Sequence, residues 1–195
     1  MTPAETNLIN VAKRYTLIAT QVSQAYSAEQ AKLNIELVLA PSRLSSSEGT
    51  QQSLESIERL SSLTETHKTA IEKIFLACAA DFSQAIAALT ESQQAEHRGG
   101  ILKSVHGQLA AQSQFYENRS KWIRAAKNIC TLLEAKRKTV TVEGDSILFA
   151  EESDQERFAA MMDTLEEAHT LEAAHTRQML EQFSQTTALL GLSPQ

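Results

Sequence analysis

The sequence predicts an all-α protein, an elongated antiparallel four-helix bundle whose consecutive helices run up, down, up and down. Four long stretches place apolar residues at spacings of three and four, the period of an amphipathic helix. Aromatic residues make up only 5% of the 195 residues, which favours helices packed through aliphatic side chains over a β-sandwich. The connections between the stretches are short, and short connections join antiparallel neighbours.

The first helix has a clear predicted start. Thr2 can cap it, Pro3 can occupy its first position, and the Glu5 side chain can reach back to the backbone N–H of the cap. The apolar stripe continues through Leu33 and Leu37 to Pro41. Because proline cannot continue a helix, we expect the first helix to end before Pro41.

The second and third helices are expected on either side of Gly99-Gly100. The second would begin after a polar turn at residues 42–50 and end near His97, because paired glycines commonly terminate a helix. The third would run from residue 101 to Lys136-Arg137-Lys138, cations that favour a helix C-terminus. His97 and His106 flank the glycines, where we expect them to face solvent rather than to hold a metal at the bundle end.

The segment 139–149, between the third and fourth helices, does not look helical. Its β-branched residues alternate with polar ones around Gly144, which indicates a short β-hairpin or an ordinary loop. Ser153-Asp-Gln-Glu156 then forms a second capping box, from which the fourth helix would run to Gly191 and Pro194. No fixed-period repeat is visible, so we expect one helical domain over residues 1–195.

Charge and cysteine content limit the classes of function. The net charge of −6 argues against binding nucleic acid, because phosphate contacts require a surplus of Lys and Arg. The two cysteines, Cys78 and Cys130, lie on apolar stripes and read as buried thiols of a reducing compartment. The chain starts with no basic and apolar leader and contains no long apolar stretch, so we expect a cytoplasmic protein.

The third helix is locally basic although the whole chain is acidic. Trp122 lies between two of its cations, an arrangement typical of segments that lie on anionic membrane surfaces. The predicted basic surface consists of Lys121, Arg124, Lys136, Arg137 and Lys138. The fourth helix is acidic, so complementary packing of the two helices is an alternative explanation for the same charges.

Four polar residues interrupt the apolar stripes at comparable heights: His67, Arg119, Glu172 and His175. We expect a buried hydrogen-bonded network in which Glu172 pairs with Arg119 or His67 and sets the register of the helices. Alternatively, Glu172 and His175 lie half exposed at the edge of the stripe. A dinuclear metal site is the third hypothesis, because Glu172-Ala-Ala-His175 is a Glu-x-x-His pair.

The metal hypothesis is the weakest, because ferritin-like sites draw such pairs from two helices and add two further glutamates. We therefore predict no catalytic residue, no bound metal and no cofactor. A Gly-rich phosphate loop, a close cysteine pair and a recognisable nucleophile signature are all missing from the sequence. The chain is not expected to be an enzyme.

The remaining prediction is a helical protein that acts through protein–protein contacts, as an adaptor, scaffold or chaperone-like protein, and that self-associates as a homodimer. Its predicted interaction surface consists of Phe75, Phe82, Ile86 and Leu89, which widen the stripe of the second helix. The broad core of a monomer would show the same pattern. The alternatives are a membrane-surface dimer that uses the basic third helix and a metal-binding, ferritin-like oxidase.

Overall fold

The computed structural model of the protein describes residues 2–144 and 146–189, without the side chains of residues 96–98, 101–106, 182–183 and 186–189. Helices make up 84% of the structure, so the predicted all-α class is confirmed. The α-helices are α1 Pro3–Ala31, α2 Pro41–Leu44, α3 Ser47–Ala87, α4 Glu91–Ala135 and α5 Glu152–Leu189. A 3₁₀ turn covers Ile35–Leu37, and the strands are β1 Val140–Glu143 and β2 Ser146–Phe149.

The start of α1 is a capping box, as the sequence predicts. The backbone N–H of Thr2 donates to Glu5 Oε2 at 2.6 Å, and the backbone N–H of Glu5 donates to Thr2 Oγ1 at 3.3 Å. Pro3 is the first helical residue, a position where its missing N–H is not needed. The hydrogen bond from the Thr2 backbone is the main cause of a lowered pKa of the Glu5 carboxyl.

The end of α1 differs from the prediction. The helix stops at Ala31, ten residues before Pro41, because Asn34 adopts a left-handed conformation with φ 47° and ψ 54°. Asparagine tolerates this conformation better than most residues with a side chain. Pro41 starts α2 at the first helical position, after an extended Ala40. Proline here begins a helix instead of ending one.

The break between the second and third long helices is also displaced. It falls at residues 88–90, and Gly99-Gly100 lies inside α4. Gln93 Oε1 accepts hydrogen bonds from the backbone N–H of Thr90 at 3.2 Å and from its hydroxyl at 3.0 Å. This contact caps α4 and sets its start, whereas a glycine inside a helix costs only about 1 kcal/mol. His97 and His106 are among the residues whose side chains lie outside the description.

The segment 139–149 contains a β-hairpin. The two strands pair antiparallel, from Val140 opposite Phe149 to Glu143 opposite Ser146. Gly144 in the connection has a φ of +57°, which a glycine adopts without strain. The hairpin between the last two long helices is therefore confirmed.

The start of α5 is set by the hairpin rather than by the predicted capping box. The helix begins at Glu152, and the backbone N–H groups of Asp154 and Gln155 donate to the carbonyl of Glu151. Gln155 Oε1 accepts the backbone N–H of Phe149 at 3.0 Å, so β2 and α5 are joined directly. Ser153 is consequently inside the helix. The predicted end of this helix at Gly191 lies outside the described residues.

The chain forms two compact units. Unit 1 comprises Met1–Ala25, Thr66–Phe115 and Ala174–Gln195, and unit 2 comprises Tyr26–Glu65 and Tyr116–Ala173. The helices α1, α3, α4 and α5 each contribute residues to both units. A single domain with up-down-up-down order stays a prediction.

The core of unit 2 is formed where α3, α4 and α5 converge with the α1–α2 connection. Its buried residues are Val38, Leu44, Ile57, Leu60, Trp122, Ala126, Ile129, Cys130, Leu133 and Ala168. Val140, Ile147 and Phe149 pack against them from one face of the hairpin. Since successive strand residues point to opposite faces, Thr141 and Leu148 lie on the other face.

The described core of unit 1 is smaller. It joins the first turns of α1 to the end of α3 and to the turn before α4, and its buried residues are Leu8, Val11, Ala85, Ile86 and Leu89. Tyr15 and Phe82 are partly buried and pack against this cluster.

Candidate functional site

The most buried ionic contact described in unit 2 joins α4 to α5. Arg119 Nη2 donates to Glu172 Oε1, with only 7% of the arginine side chain and 18% of the glutamate side chain exposed. Arg119 Nη2 also lies 3.4 Å from Gln30 Oε1 of α1. The guanidinium of α4 therefore contacts two other helices, α1 and α5, and its bond to the carboxylate is charge-assisted.

Burial and charge act in opposite directions on Glu172. Burial raises the pKa of its carboxyl above the ordinary value, and the positive charge of Arg119 opposes that rise. Burial has the larger effect, because removing a carboxylate from water disfavours its charged form. The attraction to Arg119 therefore offsets only part of the cost of removing the Glu172 carboxylate from water.

A second buried polar contact in unit 2 joins α1 to α3. The hydroxyls of Tyr26 and Thr64 lie 3.3 Å apart, and both side chains are buried. Tyr26 is one turn before Gln30, so the two side chains lie on the same face of α1. Polar contacts one turn apart thus connect α1 to α3 and to α4.

The predicted network of four residues is divided between the units. Arg119 and Glu172 are in contact within unit 2, whereas His67 and His175 belong to unit 1. Burial lowers the pKa of both histidines. The ring of His175 lies 6.1 Å from the ring of Phe115, centroid to centroid, at an angle of 30°.

The described side chains do not assemble a metal site. Among the side chains that the structure describes, no three from His, Cys, Asp or Glu converge on a point where they could bind an ion. The Glu172 carboxylate, the best candidate ligand, is in contact with the Arg119 guanidinium. A cation at that carboxylate would have to compete with a positive charge already in place.

The predicted basic surface is only partly available. Lys121, Arg124 and Lys138 are exposed. Lys136 instead binds Asp154 Oδ2 at 2.6 Å and Glu151 Oε2 at 3.3 Å, at the start of α5. These bonds raise the pKa of the lysine, the contact with Asp154 having the larger effect.

Arg137 also contacts its own chain rather than solvent. Its guanidinium donates to the carbonyl of Leu44 and, at 3.2 Å, to the carbonyl of Ser46, so it satisfies backbone oxygens between α2 and α3. It also contacts Thr50 Oγ1 and lies 3.0 Å from Glu134 Oε2. The prediction that Lys136 and Arg137 form a free basic surface is thus wrong: just after the end of α4, Lys136 binds acids and Arg137 binds backbone carbonyls.

The predicted interaction surface is largely core. Ile86 and Leu89 are buried in the core of unit 1, and Phe82 packs against that core. Phe75 is half-buried. The prediction fails because the first turns of α1 cover these side chains, and the width of the stripe reflects a second neighbouring helix.

The apolar surface lies elsewhere on α3. Leu76 is 74% exposed, and Ala80, Ser83 and Ala87 on the same side of the helix are exposed as well. We call these four residues the α3 outer face. Between residues 74 and 90 the only charged side chain is Asp81. The sequence signal for this surface is a leucine away from the core stripe in a stretch almost without charge.

Asp81 is already engaged within unit 1. Its Oδ2 accepts hydrogen bonds from Arg14 Nη2 and, at 2.7 Å, from the hydroxyl of Tyr15, both on α1. The bond to Asp81 is the main cause of a raised pKa of the Tyr15 phenol. The one charge of this stretch therefore links α3 to α1.

Unit 1 exposes further large apolar side chains on its other helices. Leu180 of α5 is 64% exposed and Leu109 of α4 is 41% exposed, and α1 exposes Leu17 and Ile18. No helix of the described chain is long and apolar enough to cross a membrane.

No protein-family model matches the chain, and no significant similarity to a curated protein or to a solved structure is found.

Proposed function

We propose that the chain is a non-enzymatic helical protein that binds other protein molecules through unit 1 and that self-associates. The observation that carries this proposal is the exposure of Leu76 and Leu180, at 74% and 64%, on helices that also supply the core. A single exposed leucine is ordinary, but large apolar side chains exposed on all four long helices of one unit are typical of a contact surface. The role is that of an adaptor, scaffold or chaperone-like protein.

Further described exposures in unit 1 support the same proposal. Leu17 of α1 is 49% exposed and Leu109 of α4 is 41% exposed, so these apolar side chains are available for contact with another molecule. Burial of apolar area at about 25 cal/mol per Å² favours association with a surface of similar character. We also propose that the four long helices run up, down, up and down in consecutive order.

The proposed location is the cytoplasm, and the cysteines support it. Cys78 and Cys130 are both free thiols. Burial raises the pKa of each to about 11, which leaves almost no reactive thiolate at neutral pH. Unpaired, unreactive thiols fit a reducing compartment.

Contact with an anionic membrane surface is the less favoured alternative. Lys121, Arg124 and Lys138 remain exposed for it, but Lys136 and Arg137 are engaged within unit 2. Binding to vesicles of phosphatidylserine and phosphatidylcholine at low salt, abolished by Lys121→Glu and Arg124→Glu, would support this alternative. Wild-type protein that stays in solution with such vesicles would remove it.

The proposal is tested by sedimentation of the protein over a wide concentration range and by capture of binding partners. We expect Leu76→Gln with Leu180→Gln to retain the helical circular dichroism and the melting temperature but to lose self-association. Leu148→Gln, on the outward face of the hairpin in unit 2, is the matched control, because Leu148 is 51% exposed. Wild-type protein that is monomeric at every concentration and captures no protein through unit 1 would refute the proposal.

A further inference from the structure

We draw no further inference here: the strongest candidate, the α3 outer face with Leu76 at its start, carries none, because nothing in the structure shows what covers it.

Discussion

Units 1 and 2 are built from parts of the same four long helices, yet they bury their side chains to different depths. In unit 2, Ile57, Leu60, Ile129 and Leu133 are fully buried, at 0% exposure. Among the described side chains of unit 1, the lowest exposure is the 2% of Ala85. One helix can therefore be fully buried along one part and expose large apolar side chains along another, as α3 does with Leu60 and Leu76.

The ion pairs differ in the same way. Arg119 and Glu172 of unit 2 are 7% and 18% exposed, whereas Arg14 and Asp81 of unit 1 are 54% and 33% exposed. A pair removed from water restricts the geometry of its helices more strongly than a solvated pair does. Of these two ion pairs, the one in unit 2 is therefore the more strongly constrained.

The largest expected effect tests the two cores. Leu60→Ala in unit 2 should lower the free energy of unfolding by about 3–4 kcal/mol, because the fully buried site leaves a cavity. Leu8→Ala in unit 1 should lower it by about 2 kcal/mol, near the lower limit for such changes, since Leu8 is already 7% exposed. Urea denaturation of both variants measures the difference, and equal losses would contradict the contrast between the cores.

The second effect tests the two ion pairs. Glu172→Ala should lower the free energy of unfolding by about 2–3 kcal/mol, because it leaves the buried Arg119 without its carboxylate. Asp81→Ala should have a several-fold smaller effect, within the range of exposed pairs. The double variant Arg119→Met with Glu172→Leu should recover most of the loss. If the double variant is less stable than Glu172→Ala, the attraction between Arg119 and Glu172 stabilises the fold by more than the cost of removing the two charges from water.

The third prediction concerns glycine-to-alanine replacements, which should change stability in opposite directions at two places in the chain. A Cβ at Gly49 in unit 2 would lie 2.1 Å from the carbonyl oxygen of Arg43, so Gly49→Ala should destabilise the protein by about 2 kcal/mol or more. A Cβ at Gly99 or Gly100 in α4 would meet no atom within 4 Å. Alanine at either position should stabilise the protein by about 0.5–1 kcal/mol. Melting temperatures that move in the same direction would contradict this prediction.

The smallest effect is a dependence of stability on pH that has opposite signs at two sites. Because the pKa of His67 is lowered, its contribution to the stability of the fold is present above pH 6.5, its ordinary pKa, and is lost as the pH falls through the lowered pKa. Because the pKa of Glu172 is raised, its contribution to the stability of the fold is largest below pH 4.5, its ordinary pKa, and is lost as the pH rises through the raised pKa.

Replacement of each group should remove its own slope from the pH profile of unfolding. His67→Gln should flatten the profile below about pH 7, and Glu172→Gln should flatten it above about pH 4.5. Denaturant midpoints measured across the pH range provide the test. An unchanged slope in either variant would show that the titrating group is a different one.

Local features of the structure were the most predictable from sequence. The capping box at Thr2 and Glu5 depends on residues three apart, and the hairpin around Gly144 depends on alternation within a few residues. The helix break is less predictable, because Gly99-Gly100 is a stronger sequence signal for a helix end than the Thr90 and Gln93 pair that forms the cap. A cap that satisfies backbone groups outweighed the modest helix penalty of glycine.

Contacts across the chain were less predictable. The sequence places Arg119 and Glu172 on apolar stripes, and the structure brings them together. The same pattern predicts His67 as an alternative partner for Glu172, and His67 belongs to the other unit. Sequence spacing places a residue on a helix face, but it does not specify the position of one helix along another.

The helical class, the capped start of α1 and the stripe on which each polar residue lies are predicted from sequence, because they follow from interactions between neighbours along the chain. The structure selects the hairpin from the two alternatives that the sequence leaves open for residues 139–149. Only the tertiary structure decided that Ile86 is core while Leu76 is exposed, and that Arg137 binds backbone carbonyls of the α2–α3 connection. The physical reason is that burial depends on which other segment covers a face, and that segment is distant in sequence. Periodicity reports that a face is apolar, and packing determines what lies against it.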